Sequence, residues 1–328
     1  MIQRDYPYMY ARVSAKKAKL YDEMDYDSML KMGPNEISRK MGEGVYKEDI
    51  DELGSNYDGV KLAELALSRN LSRELSGLVE KADGKLQEVL RTYLSRYDIL
   101  TLKRVLRARK ADEEAMDYLH PVGGVDQEEL DRLCEMSFEE ARDSISFENS
   151  PVDYQKYINQ AETVSQVETG LDQAYYDELW ELAENNGSSQ FRDFITDEMR
   201  YENIKMVLRL KKYGVGREKI RERLLTARNG GLVEELLGKE YEDGLQHVMN
   251  EFGLEVGERL EDVERAIEVH RLEKALKRLH TRPLGLSSVL GYVVAKITEV
   301  KNLRMLLRAK ETGIQNQETI RKQLILPN

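Results

Sequence analysis

The chain has 328 residues, 41% of them hydrophobic and 34% charged, with a formal net charge of −11. That length exceeds what one hydrophobic core serves and implies two or three domains, while the acidic balance excludes a polyanion-binding surface spread over the whole molecule. The single cysteine, Cys134, cannot form an internal disulfide, which fits an intracellular location.

Apolar residues recur at helical spacing along nearly the whole chain. The periodicity predicts helices over 8–22, 62–78, 85–109 and 127–134, then over 164–185, 191–212, 217–226 and 233–237. The last group covers 241–252, 259–280, 285–310 and 317–324. Breaks rich in glycine or asparagine separate them: MGPN (32–35), GSNYDG (54–59), PVGG (121–124), NNGSS (185–189), RNGG (228–231) and RPLG (282–285). No convincing alternating strand pattern occurs, and six prolines leave room for long helices. The start, MIQRDYPYMYARVSAKKAK, has no apolar core of signal-peptide length. No apolar run approaches the roughly 18 residues of a membrane span; LGLSSVLGYVVAKI (284–297) reads as a buried helix. The expected fold class is all-α.

One amphipathic helix is written three times: YDILTLKRVLRARK (97–110), RYENIKMVLRLKK (200–212) and TEVKNLRMLLRAK (298–310). Aligned on Leu106, Leu208 and Leu307, the copies lie about a hundred residues apart, which implies three related domains rather than a solenoid. Each carries an apolar i, i+3, i+7 stripe: Ile99, Leu102 and Leu106; Tyr201, Ile204 and Leu208; Val300, Leu303 and Leu307. One helical face holds each stripe and must be buried. One residue further on runs a basic stripe: Lys103 and Arg107, Lys205 and Arg209, Arg304 and Arg308. Like charges at i, i+4 repel by roughly 0.2–0.5 kcal/mol in an isolated helix. Three such copies imply an acidic partner, inside the molecule or outside it.

The helix before each copy places Glu64, Glu168 and Glu264 in matching positions. These glutamates are expected to pair with the basic stripe within each domain, Glu168 with Arg209 for example, because the two helices are sequence neighbours. Otherwise the three stripes present a charged rim to a partner. Cations in a last helical turn also suit the helix dipole. Asn203 and Asn302 match each other, and the first copy has Thr101 there. A shorter helix follows each copy, with Met116, Ile220 and Ile320 in register, and Tyr46, Phe138 and Tyr241 match further along. The chain begins and ends at the same phase of the repeat. Three bundles closing into a ring or bowl satisfy that register, and so does an open arc. The expected domains are 1–118, whose first helix can close against the last bundle, then 119–224 and 225–328.

Sites for chemistry are not offered. There is no G-x-x-x-x-G-K-[ST] phosphate loop, no H-E-x-x-H and no G-x-S-x-G. His120, His247, His270 and His280 are scattered, so neither metal nor cofactor is expected. Cys134 reads as a small buried hydrophobe, and the acidic clusters at 49–52 and 258–264 read as solvated helix faces. No catalytic residue, small-molecule substrate or nucleic acid is expected.

The opening YPYMYARVSAKKAKL and the closing PLGLSSVLGYVVAKITEVKNLRMLLRAKETG carry a family resemblance. In the latter, P-L-G, Y-x-x-x-K, E-x-x-N-L-R and L-x-R-A-K stand in order. With the threefold pattern, they resemble the family that holds the C subunit of archaeal-type (A-type) ATP synthases and the d subunit of vacuolar-type ATPases. The resemblance implies three similar helical bundles in a pseudo-threefold arrangement, funnel- or bowl-shaped. It implies a non-catalytic central-stalk subunit, peripheral on the cytoplasmic face of the cell membrane and without a transmembrane segment. Its implied role is coupling of the membrane rotor ring to the axle subunits of the ATPase head, for ATP-linked transport of protons or sodium. The rival reading is a soluble helical scaffold that binds other proteins.

Overall fold

The structure is a computed structural model that describes residues 5–113, 124–185, 188–225, 231–254, 259–281 and 285–327. Met116, His120 and the breaks at 121–123, 228–230 and 282–284 lie outside the described residues. Every regular element within them is an α-helix. In order these are α1 (Asp5–Lys17), α2 (Glu23–Met29), α3 (Pro34–Gly42), α4 (Lys47–Leu53), α5 (Gly59–Lys81) and α6 (Gly84–Leu94). Next come α7 (Arg96–Ala111), α8 (Gln127–Glu135), α9 (Phe138–Asp143), α10 (Gln155–Ile158), α11 (Val164–Asn185) and α12 (Ser189–Lys212). The last are α13 (Arg217–Arg221), α14 (Gly231–Gly238), α15 (Tyr241–Glu251), α16 (Leu260–Thr281), α17 (Leu286–Glu311) and α18 (Gln317–Arg321). No described helix is long and apolar enough to cross a membrane.

The short helices α2, α3, α4, α9 and α10 are additions to the periodic pattern, because four to nine residues hold too few turns to show a period. Start signals at α2, α3 and α9, and also at α8, are chemical. Asp22 and Asp25 form a reciprocal capping box at α2, Asp126 and Glu129 at α8, and Ser137 and Glu140 at α9. At α3, Pro34 takes the first position and Glu36 accepts the Gly33 N–H at 2.8 Å. Each cap satisfies donors that a helix start leaves open, worth about 1 kcal/mol.

The helix expected over 85–109 breaks at Ser95, giving α6 and α7. Two carbonyls of the last α6 turn accept from side chains: Thr92 from Ser95 Oγ at 2.8 Å and Tyr93 from the Tyr175 hydroxyl at 3.1 Å. Such side-chain bonds compete with the helical ladder and bend it.

All three repeated helices end alike. Asp112, Gly214 and Gly313 adopt left-handed φ values of 55°, 71° and 80°. The next N–H then reaches back five residues: Glu113 to Ala108 at 2.9 Å, Val215 to Leu210 at 2.9 Å and Ile314 to Ala309 at 3.0 Å. This helix stop favours glycine because a Cβ crowds the left-handed conformation. Asp112 is the one described non-glycine residue with positive φ.

The chain divides into two compact units, and the division falls inside α5, α12 and α14 and between α12 and α13. The first comprises Met1–Leu71, Ile204–Val215 and Glu234–Asn328. Its spine is α17, which packs against α16, α1 and α3. Residues 286–296 of α17 are buried on every side, the pattern of a helix inside a core. Gly291 lets α16 approach: a Cβ there would lie 2.6 Å from the Ala275 carbonyl oxygen. The second unit comprises Ser72–Asn203 and Gly216–Val233. There α11 packs on α6, α7 and α10, while α7 also meets α8 and α9. Phe191, Phe194, Tyr154 and Tyr175 are buried in its core.

Candidate functional site

The apolar stripes of α7, α12 and α17 are buried: Ile99, Leu102 and Leu106; Tyr201, Ile204 and Leu208; Val300, Leu303 and Leu307. Burying those faces fixes the neighbouring face, which carries the basic stripe, against a second helix. Each basic stripe forms a two-rung ladder with a helix from another part of the chain.

The outer rungs are built alike. Arg107 Nε bonds Glu168 of α11, Arg209 Nε bonds Glu264 of α16 at 2.5 Å, and Arg308 Nε bonds Glu64 of α5 at 2.5 Å. Arg209 also donates from Nη2 to Glu264 Oε2 at 2.7 Å. The bond to Glu168 holds the Arg107 guanidinium above its ordinary pKa, and Glu64 does the same for Arg308.

On the inner rungs, Lys103 meets Asp172 at 2.6 Å and Lys205 meets Glu268 at 2.9 Å. Arg304 instead donates to the Ser68 hydroxyl at 2.6 Å. Asp172, Glu268 and Ser68 each stand four residues after the outer-rung glutamate, so the third ladder has serine where the others have an acid. Glu268 also receives Lys301 at 3.0 Å and Arg271 at 3.4 Å. Burial alone would raise the Glu268 carboxyl; the charges of Lys301, Lys205 and Arg271 override it and hold the group well below the usual range. Burial lowers the Lys301 ammonium, against the pull of Glu268.

The partner is not the glutamate of the same sequence repeat. Glu168, expected opposite Arg209, takes Arg107 instead, and Arg209 takes Glu264. The order of pairing is cyclic: first copy to second glutamate, second to third, and third back to the first, across 244 residues. The last basic residues follow the same order. Lys211 donates to the Leu237 carbonyl at the end of α14, at 3.3 Å, and to that of Lys239. Lys310 donates to the Leu30 carbonyl just past α2, at 2.6 Å. Cations therefore sit at the negative ends of two other helices, a favourable dipole interaction.

Two asparagines act as latches that the repeat alone did not explain. Asn203 donates to the Leu225 carbonyl at 3.2 Å and accepts the Leu225 N–H at 2.9 Å. Asn302 does the same for Ile325, at 2.9 and 2.8 Å. A side-chain amide offers a separate donor and acceptor to the two backbone groups of one residue, whereas threonine at position 101 has a single oxygen on a shorter arm for both.

A buried polar cluster on α17 was not foreseen from the sequence. Lys296 and Glu299 are 2% and 3% exposed and pair at 2.8 Å. The Tyr46 hydroxyl donates to Glu299 Oε1 at 2.6 Å, Lys296 Nζ donates to that hydroxyl at 2.9 Å, and Tyr21 N–H donates to Glu299 Oε2 at 2.8 Å. Burial, then the Glu299 charge, raises the Tyr46 and Tyr21 hydroxyls well above the ordinary tyrosine range. The available signal was two opposite charges at i, i+3 directly after an apolar run. Tyr46, Phe138 and Tyr241 each stand at a helix start, at α4, α9 and α15, with the first two buried.

The chemistry available here is binding and fastening. Among the described residues no group of three or more His, Cys, Asp or Glu side chains could hold a metal ion. His247 lies 2.8 Å from Glu235, and His270 packs edge-on to Phe252. Cys134 is buried, and burial pushes its thiol up. In the closing motif, Lys296, Glu299, Asn302, Arg304, Arg308 and Lys310 each hold another segment of the chain.

Similar proteins match the chain over nearly its whole length. The family model described as "ATP synthase (C/AC39) subunit" matches residues 9–323. The chain is 32% identical to the A-type ATP synthase C subunit of Methanococcoides burtonii, over 98% of this chain and 94% of that one. It is 31% identical to the protein of the same name from Archaeoglobus fulgidus, over 97% and 96%. With the one from Haloquadratum walsbyi the identity is 30%, over 95% and 96%. A match from Met9 into the C-terminal segment that Asn302 latches leaves one conclusion: the chain belongs to the ATP synthase (C/AC39) subunit family.

Proposed function

We propose that this protein is the non-catalytic central-stalk subunit of a rotary A-type or V-type ATP synthase. It couples the membrane rotor ring to the axle subunits of the ATPase head, and so links ATP chemistry to the transport of protons or sodium. It sits peripherally on the cytoplasmic face of the membrane through its contact with the ring. The observation that carries this reading is the near-complete match to three archaeal proteins named as the C subunit of A-type ATP synthase. We further propose three bundles over 1–118, 119–224 and 225–328 in pseudo-threefold order. The cyclic pairing of Arg107, Arg209 and Arg308 with Glu168, Glu264 and Glu64 supports that arrangement.

The helical build supports a mechanical role. Torque transfer needs stiffness and broad contact rather than a reactive group, and close-packed helices have low compressibility. The third ladder, the Lys310 contact and the buried pair tie the third repeated helix to segments within residues 21–68, so load applied to one is borne by the others of that unit.

The test is a pull-down of the purified chain with detergent-solubilised rotor ring and, separately, with axle subunits. Capture by both is expected. Capture of soluble proteins but of neither rotor component would replace the coupler with a scaffold. Metal-dependent ATP hydrolysis by the chain alone would overturn the non-catalytic assignment.

A further inference from the structure

A cavity of about 270 Å³ lies wholly within the first unit. It is bounded by the end of α1, the start of α2, parts of α16 and α17, and the C-terminal segment that Asn302 latches. Leu20, Leu272, Leu276, Ala295 and Leu326 give it an apolar body. Its polar lining is set in the core: Tyr26, Thr298, Glu299 and Asn302 are each at most 5% exposed. Apolar walls with a few fixed polar groups are the make-up of a small-molecule site.

We infer that this cavity binds a small organic ammonium with an apolar substituent. Tyr21 and Tyr26 both line it, with their rings edge to face at 6.5 Å, and the Glu299 carboxylate lines it with them. Aromatic rings beside a buried carboxylate attract a cation, more strongly once water is excluded. Glu299 has room for one more donor. A carboxylate offers about four acceptor sites, and three are taken: Oε1 by the Tyr46 hydroxyl and Lys296 Nζ, Oε2 by the Tyr21 N–H. Lys296 does not line the cavity and holds the other oxygen, so it leaves Oε2 to the ligand. Thr298 Oγ1 donates to the Val294 carbonyl and keeps its lone pairs for an ammonium proton.

The lining also selects the sign of the ligand. Asp22, Glu23 and Glu299 stand against Lys17 among the lining residues, with Glu23 held by Arg321 and Asp22 capping α2. Burial, then the Glu299 charge, holds the Tyr26 hydroxyl well above the ordinary tyrosine range, so the negative field of the carboxylate reaches that wall. An anion is repelled by this field, and a neutral molecule gains nothing from it. Size follows from volume: an apolar cavity of about 150 Å³ takes benzene, so this one has space for a ring and a short ammonium arm. The site is independent of the proposed stalk role.

The experiment titrates the full chain at neutral pH with phenethylammonium, 2-phenylethanol and phenylacetate, following the heat of binding and the methyl resonances of Leu272, Leu276 and Leu326. Saturable binding of phenethylammonium that shifts those methyls is expected, with the alcohol and the carboxylate at least about tenfold weaker. Leu276→Trp and Leu326→Trp fill the cavity from two walls, and each should weaken the ammonium at least about tenfold while circular dichroism shows native helix content. If neither variant folds, the ligand series and the methyl shifts of the parent decide. No saturable binding of phenethylammonium would overturn the inference, as would an alcohol or carboxylate that binds as tightly. Ammonium binding that leaves the three methyls unmoved, or that survives unchanged in a folded tryptophan variant, would place the ligand elsewhere and overturn it too.

Discussion

Breaking the buried pair Lys296–Glu299 tests the fastening of α17 to the N-terminal helices. Both side chains are almost wholly inaccessible, so removing one strands the other away from water. Breaking a buried pair by deleting one partner typically costs about 3–5 kcal/mol. In Lys296→Met, Glu299 keeps the Tyr46 hydroxyl and the Tyr21 N–H as donors, so the loss should sit near the lower end, ~3 kcal/mol. In Glu299→Leu, the ammonium keeps the Tyr46 oxygen and ring face, at 2.9 Å and 4.3 Å, and the Tyr21 N–H also loses its acceptor. That loss should reach ~4–5 kcal/mol. The double variant replaces the pair with apolar groups and should return to within about 1–2 kcal/mol of the parent. Urea unfolding followed by circular dichroism gives all four corners of the cycle, with a coupling of at least about 2 kcal/mol expected. Hydrogen exchange in α3 and α4 should rise in the single variants first. Two mild singles, or a double that loses the sum of both, would refute the reasoning.

Three further outcomes follow from the ladders and latches. Ser68→Asp should supply the missing acid opposite Arg304 and raise stability by about 0.3–1 kcal/mol, read as a small rise in melting temperature; a fall would show that Arg304 cannot reach it. Glu268 has a depressed folded pKa, so its stability contribution is present above the unfolded carboxyl value of about 4.3 and is lost as pH falls through the folded value. Melting against pH should therefore drop for the parent on acidification below about 4, and Glu268→Gln should be less stable at neutral pH and flatter in that range. Asn203→Asp and Asn302→Asp keep the shape but lose the donor to the Leu225 and Ile325 carbonyls, each costing about 1–3 kcal/mol. Amide exchange at those two residues should accelerate, and unchanged protection would contradict the latch.

Much of the fold was legible along the chain because its signals are local. An apolar residue every three or four positions marks a buried helical face wherever the helix packs, so α5, α11, α12, α16 and α17 could be read to within a few residues. The stops at Gly214 and Gly313 are equally local, since backbone sterics alone favour glycine at positive φ. The short helices were less legible by period, although the capping boxes of α2 and α9 were written in the sequence. The break at Ser95 was not legible, because it depends on the Tyr175 hydroxyl, 82 residues away from the carbonyl it takes.

The repeated cations and glutamates mark the limit of what contiguous residues reveal. Their equivalence follows from register alone, but their partners do not. Sequence neighbours suggested Glu168 with Arg209, whereas the structure pairs each arginine with the glutamate of the following repeat. Within α17 neighbouring positions diverge: Lys301 reaches Glu268 of α16 in its own hairpin, whereas Arg308, seven residues on, meets Glu64 of α5, 244 residues distant. The sequence by itself determined the all-helical class, the threefold writing and the family, because periodicity, caps and motifs are properties of contiguous residues. Only the tertiary structure decided who pairs with whom, that inner rungs are buried while outer ones are exposed, and that Lys296 and Glu299 lie in a core. Those properties depend on which helix faces cross, and the crossing is set by packing between distant segments.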